Sequence, residues 1–141
     1  MLIEDIMTRD VVTIDADASL QAAVVSMLRS GVGSVIVERD GVPSGICTET
    51  DALLAAAKTE RPLTDIPISG AMTGDLVTGS PDMTVRKAIR TMTDHGIKKL
   101  PITAEFDVVG IVTMTDVVLH HSELIGEAHR LESDRSRWSE D

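Results

Sequence analysis

Aromatic side chains are almost missing: Phe106 and Trp138 make up 1% of the chain, and there is no Tyr. A single-stranded nucleic-acid binder stacks bases on a series of aromatic platforms, which this chain cannot furnish. Basic residues are scarce as well, 13 Lys and Arg against 23 Asp and Glu, for a formal charge of −10. Duplex binding draws much of its affinity from neutralised phosphates, so no nucleic-acid partner is expected. The single cysteine, Cys47, permits neither an internal disulfide nor a cysteine-pair zinc site. No run approaches the ~20 apolar residues of a membrane span. The opening Met1-Leu2-Ile3-Glu4-Asp5 has neither the basic region nor the apolar core of a signal peptide. The expected location is the cytoplasm, with no membrane partner.

What remains is a 141-residue chain that is 43% hydrophobic, enough for a compact aliphatic core of Val, Ile, Leu, Ala and Met. The acidic excess favours Asp (14) over Glu (9), and Arg (9) outnumbers Lys (4). Such a surface stays hydrated in concentrated salt, where like-charge repulsion is screened. A salt-rich cytoplasm is the expected setting, with an ordinary acidic protein as the alternative.

The chain repeats itself after 65 positions without a gap. Met7-Thr8 falls on Met72-Thr73, Val12-Thr13 on Val77-Thr78, Met27 on Met92 and Gly31 on Gly96. Gly45-Ile46 falls on Gly110-Ile111, and Thr48, Thr50 and Asp51 fall on Thr113, Thr115 and Asp116. Each copy opens with a β-branched run, Val11 to Ile14 in the first, followed by polar residues suited to a helix N-cap. A helix follows, apolar at Leu20, Ala23, Val24, Met27 and Leu28, and at Val85, Ala88, Ile89 and Met92. Gly31 and Gly96 stand where a left-handed C-cap belongs. Two strands flank a hairpin turn, Ser34–Glu38 and Pro43–Cys47 around Arg39-Asp40-Gly41, then Lys99–Thr103 and Val108–Thr113. A second helix closes each unit, about Asp51–Lys58 and Asp116–His121.

The expected fold class is α/β (α+β), two β-α-β-β-α repeats packed about a pseudo-twofold axis, since one ~50-residue unit buries too little surface alone. The expected division is 1–58 for the first repeat, 59–70 for a linker, 71–121 for the second, and 122–141 for a charged tail or helix extension. The closing helices, with Ala52-Leu53-Leu54-Ala55-Ala56-Ala57 and Val117-Val118-Leu119, are apolar all round. Such helices are buried on every side, here against a second chain or inside the monomer. The first arrangement makes the protein a homodimer.

The chemistry gathers where each last strand enters its closing helix. The segments are Gly45-Ile46-Cys47-Thr48-Glu49-Thr50-Asp51 and Gly110-Ile111-Val112-Thr113-Met114-Thr115-Asp116. Free N–H groups and the positive end of the helix dipole favour anions there. Thr hydroxyls can donate to phosphate oxygens, and an Asp carboxylate accepts from a sugar diol. Thr, Thr and Asp at a helix start therefore suit a nucleoside phosphate; they equally suit simple N-capping, and duplication copies caps too. Lys98 and Lys99, two of four lysines, follow Ile97 in the second copy, where the first has Gly33-Ser34. They serve either an anion cleft or a solvated surface. His95, at a helix end, reads as a cap, and His120, His121 and His129 lack metal-site spacing.

The joint pattern resembles a tandem pair of CBS domains, named for cystathionine beta-synthase. It is carried by Met-Thr before a Val-rich strand, the helix ended by Gly, the strand Leu100-Pro101-Ile102 and the closing Gly-Ile-x-Thr-x-x-Asp, over residues 6–58 and 71–121. The resemblance implies a non-catalytic regulatory module, without a cofactor, that binds AMP, ADP, ATP or S-adenosylmethionine between its repeats. It also implies dimerisation and an effector protein as partner; a structural dimerisation module without ligand is the alternative. By resemblance, Asp51 and Asp116 hold ribose hydroxyls, and Thr48, Thr50, Thr113 and Thr115 contact ribose or phosphate. Val32 and Ile97 lie beside adenine, Lys98 and Lys99 near phosphates, and Thr13, Thr78 and Pro101 on the cleft wall. Many family members have Thr-Glu-Arg-Asp where this chain has Thr48-Glu49-Thr50-Asp51, which removes a basic residue from the first copy.

Overall fold

The computed structural model describes residues 1–120; the expected tail at 122–141 lies outside the described residues, as do His121 and His129. The first repeat contains β1 (Thr13–Asp15), α1 (Leu20–Ser30), β2 (Ser34–Arg39), β3 (Val42–Thr48) and α2 (Glu49–Thr59). The second contains α3 (Val85–His95), β4 (Lys99–Ala104), β5 (Asp107–Thr113) and α4 (Met114–Leu119). Local chemistry sets the helix ends. The Ser19 hydroxyl accepts from the Ala22 N–H at 3.2 Å, and Thr84 does the same for Lys87 at 3.2 Å. Gly31 (φ 64°) and Gly96 (φ 63°) end α1 and α3 in the left-handed conformation. The hairpins turn on two left-handed residues each, Asp40-Gly41 and, without glycine, Glu105-Phe106.

The repeats differ at their opening strands. In the first, β1 pairs parallel with β2, and the Ile36 N–H donates to the Val12 carbonyl at 2.9 Å. The residue 65 positions on from Ile36 is Pro101, which has no N–H to give. The expected strand at Val77-Thr78 is therefore reduced to one bridge, Gly79 to Ile102, leaving β4 and β5 as a two-stranded sheet.

The segments ahead of each repeat cross over. Leu2 bridges Thr84, and Thr8 bridges Ile111, so the chain's start lies on the second repeat. The counterparts 65 residues on, Pro67 and Thr73, bridge Ser19 and Ile46 of the first. The second core accordingly contains Ile3, Ile6 and Met7 beside Met92, Leu100 and Val112. The first contains Ile66 and Ile68 beside Leu20, Val35 and Cys47. The stretch expected as a mere linker thus supplies core residues. Gly45 and Gly110 permit this docking: a Cβ at Gly45 would lie 2.7 Å from the Thr73 carbonyl oxygen, and one at Gly110 would lie 2.6 Å from Met7 Sδ.

Inside the first core, burial pushes the Cys47 thiol up to about 11, and the charge of Asp51 adds to the shift. Because the folded value is raised, this thiol's share of stability is intact below its ordinary value of 9.0 and is lost as pH climbs through about 11. At pH ~8 iodoacetamide should leave Cys47 unmodified until urea unfolds the protein, since the thiolate is the nucleophile. Rapid labelling in buffer alone would contradict that burial.

Within the chain, α2 buries one face through Ala52 and Ala55 and leaves Leu53 (72%) and Leu54 (49%) exposed. Beside them Leu28 of α1 is 77% exposed. An apolar groove of about 330 Å³ runs between the two helices, lined by Val24, Leu28, Leu53 and Ala56 among others. The second repeat is less apolar here: α3 carries Thr93 where α1 carries Leu28.

Candidate functional site

Two clefts lie between the repeats. The larger, about 460 Å³, joins Thr48, Thr50 and Asp51 of the first repeat to Ile97, Lys98 and Lys99 of the second. The smaller, about 210 Å³, joins Thr113 of the second repeat to Val32, Gly33 and Ser34 of the first, together with Lys99. A shift of 65 carries Thr48 onto Thr113, Thr73 onto Thr8, Ile46 onto Ile111 and Ile97 onto Val32. The clefts are therefore pseudo-symmetric mates, each combining the closing motif of one repeat with the glycine corner of the other. The crossed-over segments complete the walls, through Thr73 in the larger and Thr8 and Asp10 in the smaller.

The closing motifs have identical local geometry. The Thr48 N–H donates to Asp51 Oδ2 at 2.9 Å, and the Asp51 N–H donates back to Thr48 Oγ1 at 3.2 Å. Thr113 and Asp116 repeat the pair at 2.9 and 3.1 Å. This reciprocal capping box fixes each Asp at the third position of its helix, half-buried at the strand-to-helix junction. Among the described residues, only Oδ2 of each carboxylate is engaged, so Oδ1 is open to a donor. The first helical N–H is committed within its own repeat: Glu49 donates to the Gly33 carbonyl at 3.1 Å and Met114 to the Lys98 carbonyl at 3.2 Å. Capping thus coexists with an exposed carboxylate edge, and part of the helix-end positive potential is already used.

The lysines break the symmetry. Lys98 is exposed at the larger cleft, while the half-buried Lys99 donates through Nζ to the Gly33 carbonyl at 3.0 Å. Ser34, its counterpart, is buried and carries no charge. Lys98 thus lines the cleft that carries Thr48-Glu49-Thr50-Asp51, the motif expected to lack a cation, and Lys99 lines both clefts.

Other sequence-derived positions fall elsewhere. Neither cleft is lined by Thr13, Thr78, Pro101, Thr115 or Asp116. Pro101 is fully buried, on the face of β4 opposite the core residues Leu100 and Ile102. Conversely, Thr8 and Thr73 line the clefts and belong to the Met-Thr pair visible in the repeat, a signal whose chemistry depends on the crossover. No group of three or more His, Cys, Asp or Glu fit for a metal occurs among the described residues. Nor is any helix among them long and apolar enough to cross a membrane.

Comparison with known proteins agrees with this geometry. The CBS domain family profile matches residues 3–58 and 64–123. The CBS domain-containing protein YhcV of Bacillus subtilis is 32% identical over 118 residues, 84% of each chain. The inosine-5'-monophosphate dehydrogenase of Halobacterium salinarum is 31% identical over 134 residues; these are 91% of this chain but 25% of that enzyme. The solved CBS domain pair of protein MJ0100, in complex with 5'-methylthioadenosine and S-adenosyl-L-methionine, superposes with a TM-score of 0.75. It is 25% identical, and the match covers 91% of this chain and 98% of that one. Two matched repeats, mated through symmetric clefts, place the chain in the CBS domain family as a tandem CBS pair, a regulatory module.

Proposed function

We propose that this chain is a non-catalytic sensor that holds an adenosine derivative, AMP, ADP or ATP, between its repeats and passes its state to an effector protein in the cytoplasm. The observation that carries the reading is the larger cleft, where the open edge of Asp51 and the Thr48-Thr50 pair face Ile97 and two ammonium groups. A carboxylate for a diol, an aliphatic wall for a base and cations for phosphate are the three recognition elements of a nucleotide. Isothermal titration of the full chain with AMP, ATP and adenosine is the test. Saturable binding, tighter for the phosphorylated ligands at low salt, is expected. Absence of binding by all three favours a structural dimerisation module.

S-adenosylmethionine is the second reading, favoured by the ligands held by the MJ0100 pair. S-adenosylmethionine has no phosphate and a net positive charge, so Lys98→Ala with Lys99→Ala should weaken ATP far more than S-adenosylmethionine.

The exposed Leu28, Leu53 and Leu54 support a homodimer, since soluble monomers rarely show a large contiguous apolar patch. Light scattering should give twice the 15.1 kDa chain mass. Leu28→Glu with Leu53→Glu should give a folded monomer. A wild-type monomer in both low and high salt would rule out the dimer.

A further inference from the structure

Lys99 belongs to both clefts. Its ammonium is held by the Gly33 carbonyl at 3.0 Å, and both residues line the larger and the smaller cleft. Lys99 therefore stands on the wall between the two. The room it occupies depends on Gly33, where a Cβ would lie 2.9 Å from Lys99 Nζ and 3.1 Å from Glu49 Oε1.

Acidic groups stand on either side of this ammonium. Glu49 and Asp51 line the larger cleft, and Asp10 lines the smaller. A phosphate entering either one meets like charge, and only a cation offsets it. Lys98 also serves the larger cleft; in the smaller, Lys99 is the one basic residue among the described residues that line it. Symmetry would supply a second cation from the first repeat, but that position is the buried Ser34. One ammonium therefore faces two potential anions, and a charged hydrogen bond to phosphate outcompetes one to a neutral carbonyl.

We propose that Lys99 is a single cation shared by the two clefts, so that an anionic ligand bound in one weakens the binding of a second in the other. The proposal rests on the reading that the clefts take adenosine phosphates. It makes the pair a device that fills with one anionic ligand per chain before the next, although two pockets are built. A neutral adenosine makes no claim on the ammonium and fills the clefts independently.

The test is a site-resolved NMR titration of the full chain at low ionic strength, with the Thr48 and Thr113 amides reporting on the larger and smaller cleft. The probes are AMP and adenosine. Thr50→Trp, a change at an exposed lining position outside the capping box, fills the larger cleft; Asp51→Ala is the second variant, should the first fail to fold. With the larger cleft emptied, AMP should bind the smaller cleft about fivefold or more tightly than in the AMP-saturated wild type. Adenosine affinity at Thr113 should not change between the two proteins. Lys99→Gln should abolish the gain, because sharing ends with the ammonium, whereas a gain that came from repulsion between two phosphates would survive the substitution. Equal AMP affinity at Thr113 in wild type and Thr50→Trp would overturn the proposal, as would a gain that persists with Lys99→Gln. If neither probe moves either amide, the nucleotide reading falls and the sharing with it; binding at both clefts without coupling overturns the sharing alone.

Discussion

Gly110→Val should lower the unfolding free energy by about 3 kcal/mol or more. A Cβ at this position would lie 2.6 Å from Met7 Sδ, 2.9 Å from Met7 Cγ and 3.0 Å from the Thr8 carbonyl oxygen. The thioether could swing aside, but the carbonyl cannot, because Thr8 exchanges two hydrogen bonds with Ile111, each 2.9 Å. Overpacking typically costs about 1–3 kcal/mol, and each lost backbone bond about 1 kcal/mol more. Small domains hold only about 5–15 kcal/mol in total, so the loss is readily measured by urea unfolding. Gly45→Val should behave alike, since its Cβ would lie 2.7 Å from the Thr73 carbonyl oxygen. Gly74→Ala is the control, for nothing lies within 4 Å of its Cβ position. A Gly110→Val protein as stable as that control would mean that the chain's start does not dock where the structure places it.

Asp51→Ala should weaken adenosine-ligand binding tenfold or more, with little loss of folded protein. A hydrogen bond to a charged acceptor contributes about 1.5–3 kcal/mol, and two ribose hydroxyls compete for the Oδ1 edge that the cap leaves open. The same substitution removes the acceptor of the Thr48 N–H, 2.9 Å away, at a cost of about 1 kcal/mol to the start of α2. Asp51→Asn separates the roles, because its carbonyl oxygen still accepts from Thr48 while the charge is gone. Titration calorimetry beside thermal unfolding should show Asp51→Asn with wild-type stability and reduced affinity. Wild-type affinity in both variants would make Asp51 a cap and nothing more. Asp116→Ala should have the smaller effect, since Asp116 does not line the smaller cleft.

Much of this protein is written in short-range pattern. The 65-residue shift, the spacing of Leu20, Ala23 and Met27, the glycines at 31 and 96 and the Asp40-Gly41 turn place most elements within a residue or two of where they form. Each signal concerns residues a few positions apart, and the physics that reads them, periodicity and backbone conformation, is equally local. Even the lost strand of the second repeat was legible in principle, since Pro101 has no donor for a parallel ladder.

The partners across the repeats were another matter. A duplicated sequence carries the same signals whether Met7-Thr8 docks on its own repeat or on the other. Only the close approach at Gly110 and the paired bonds to Ile111 select the crossover. The same holds at the clefts. The sequence determined which groups are available, the hydroxyl of Thr48, the carboxylate of Asp51, the aliphatic Ile97 and the ammonium of Lys99. The tertiary structure decided that the lysines face the first repeat's motif and that Lys99 reaches Gly33, 66 residues away. Side-chain chemistry is fixed by residue type, but the position of a charge relative to two pockets depends on how the two repeats pack, which no spacing along one chain encodes.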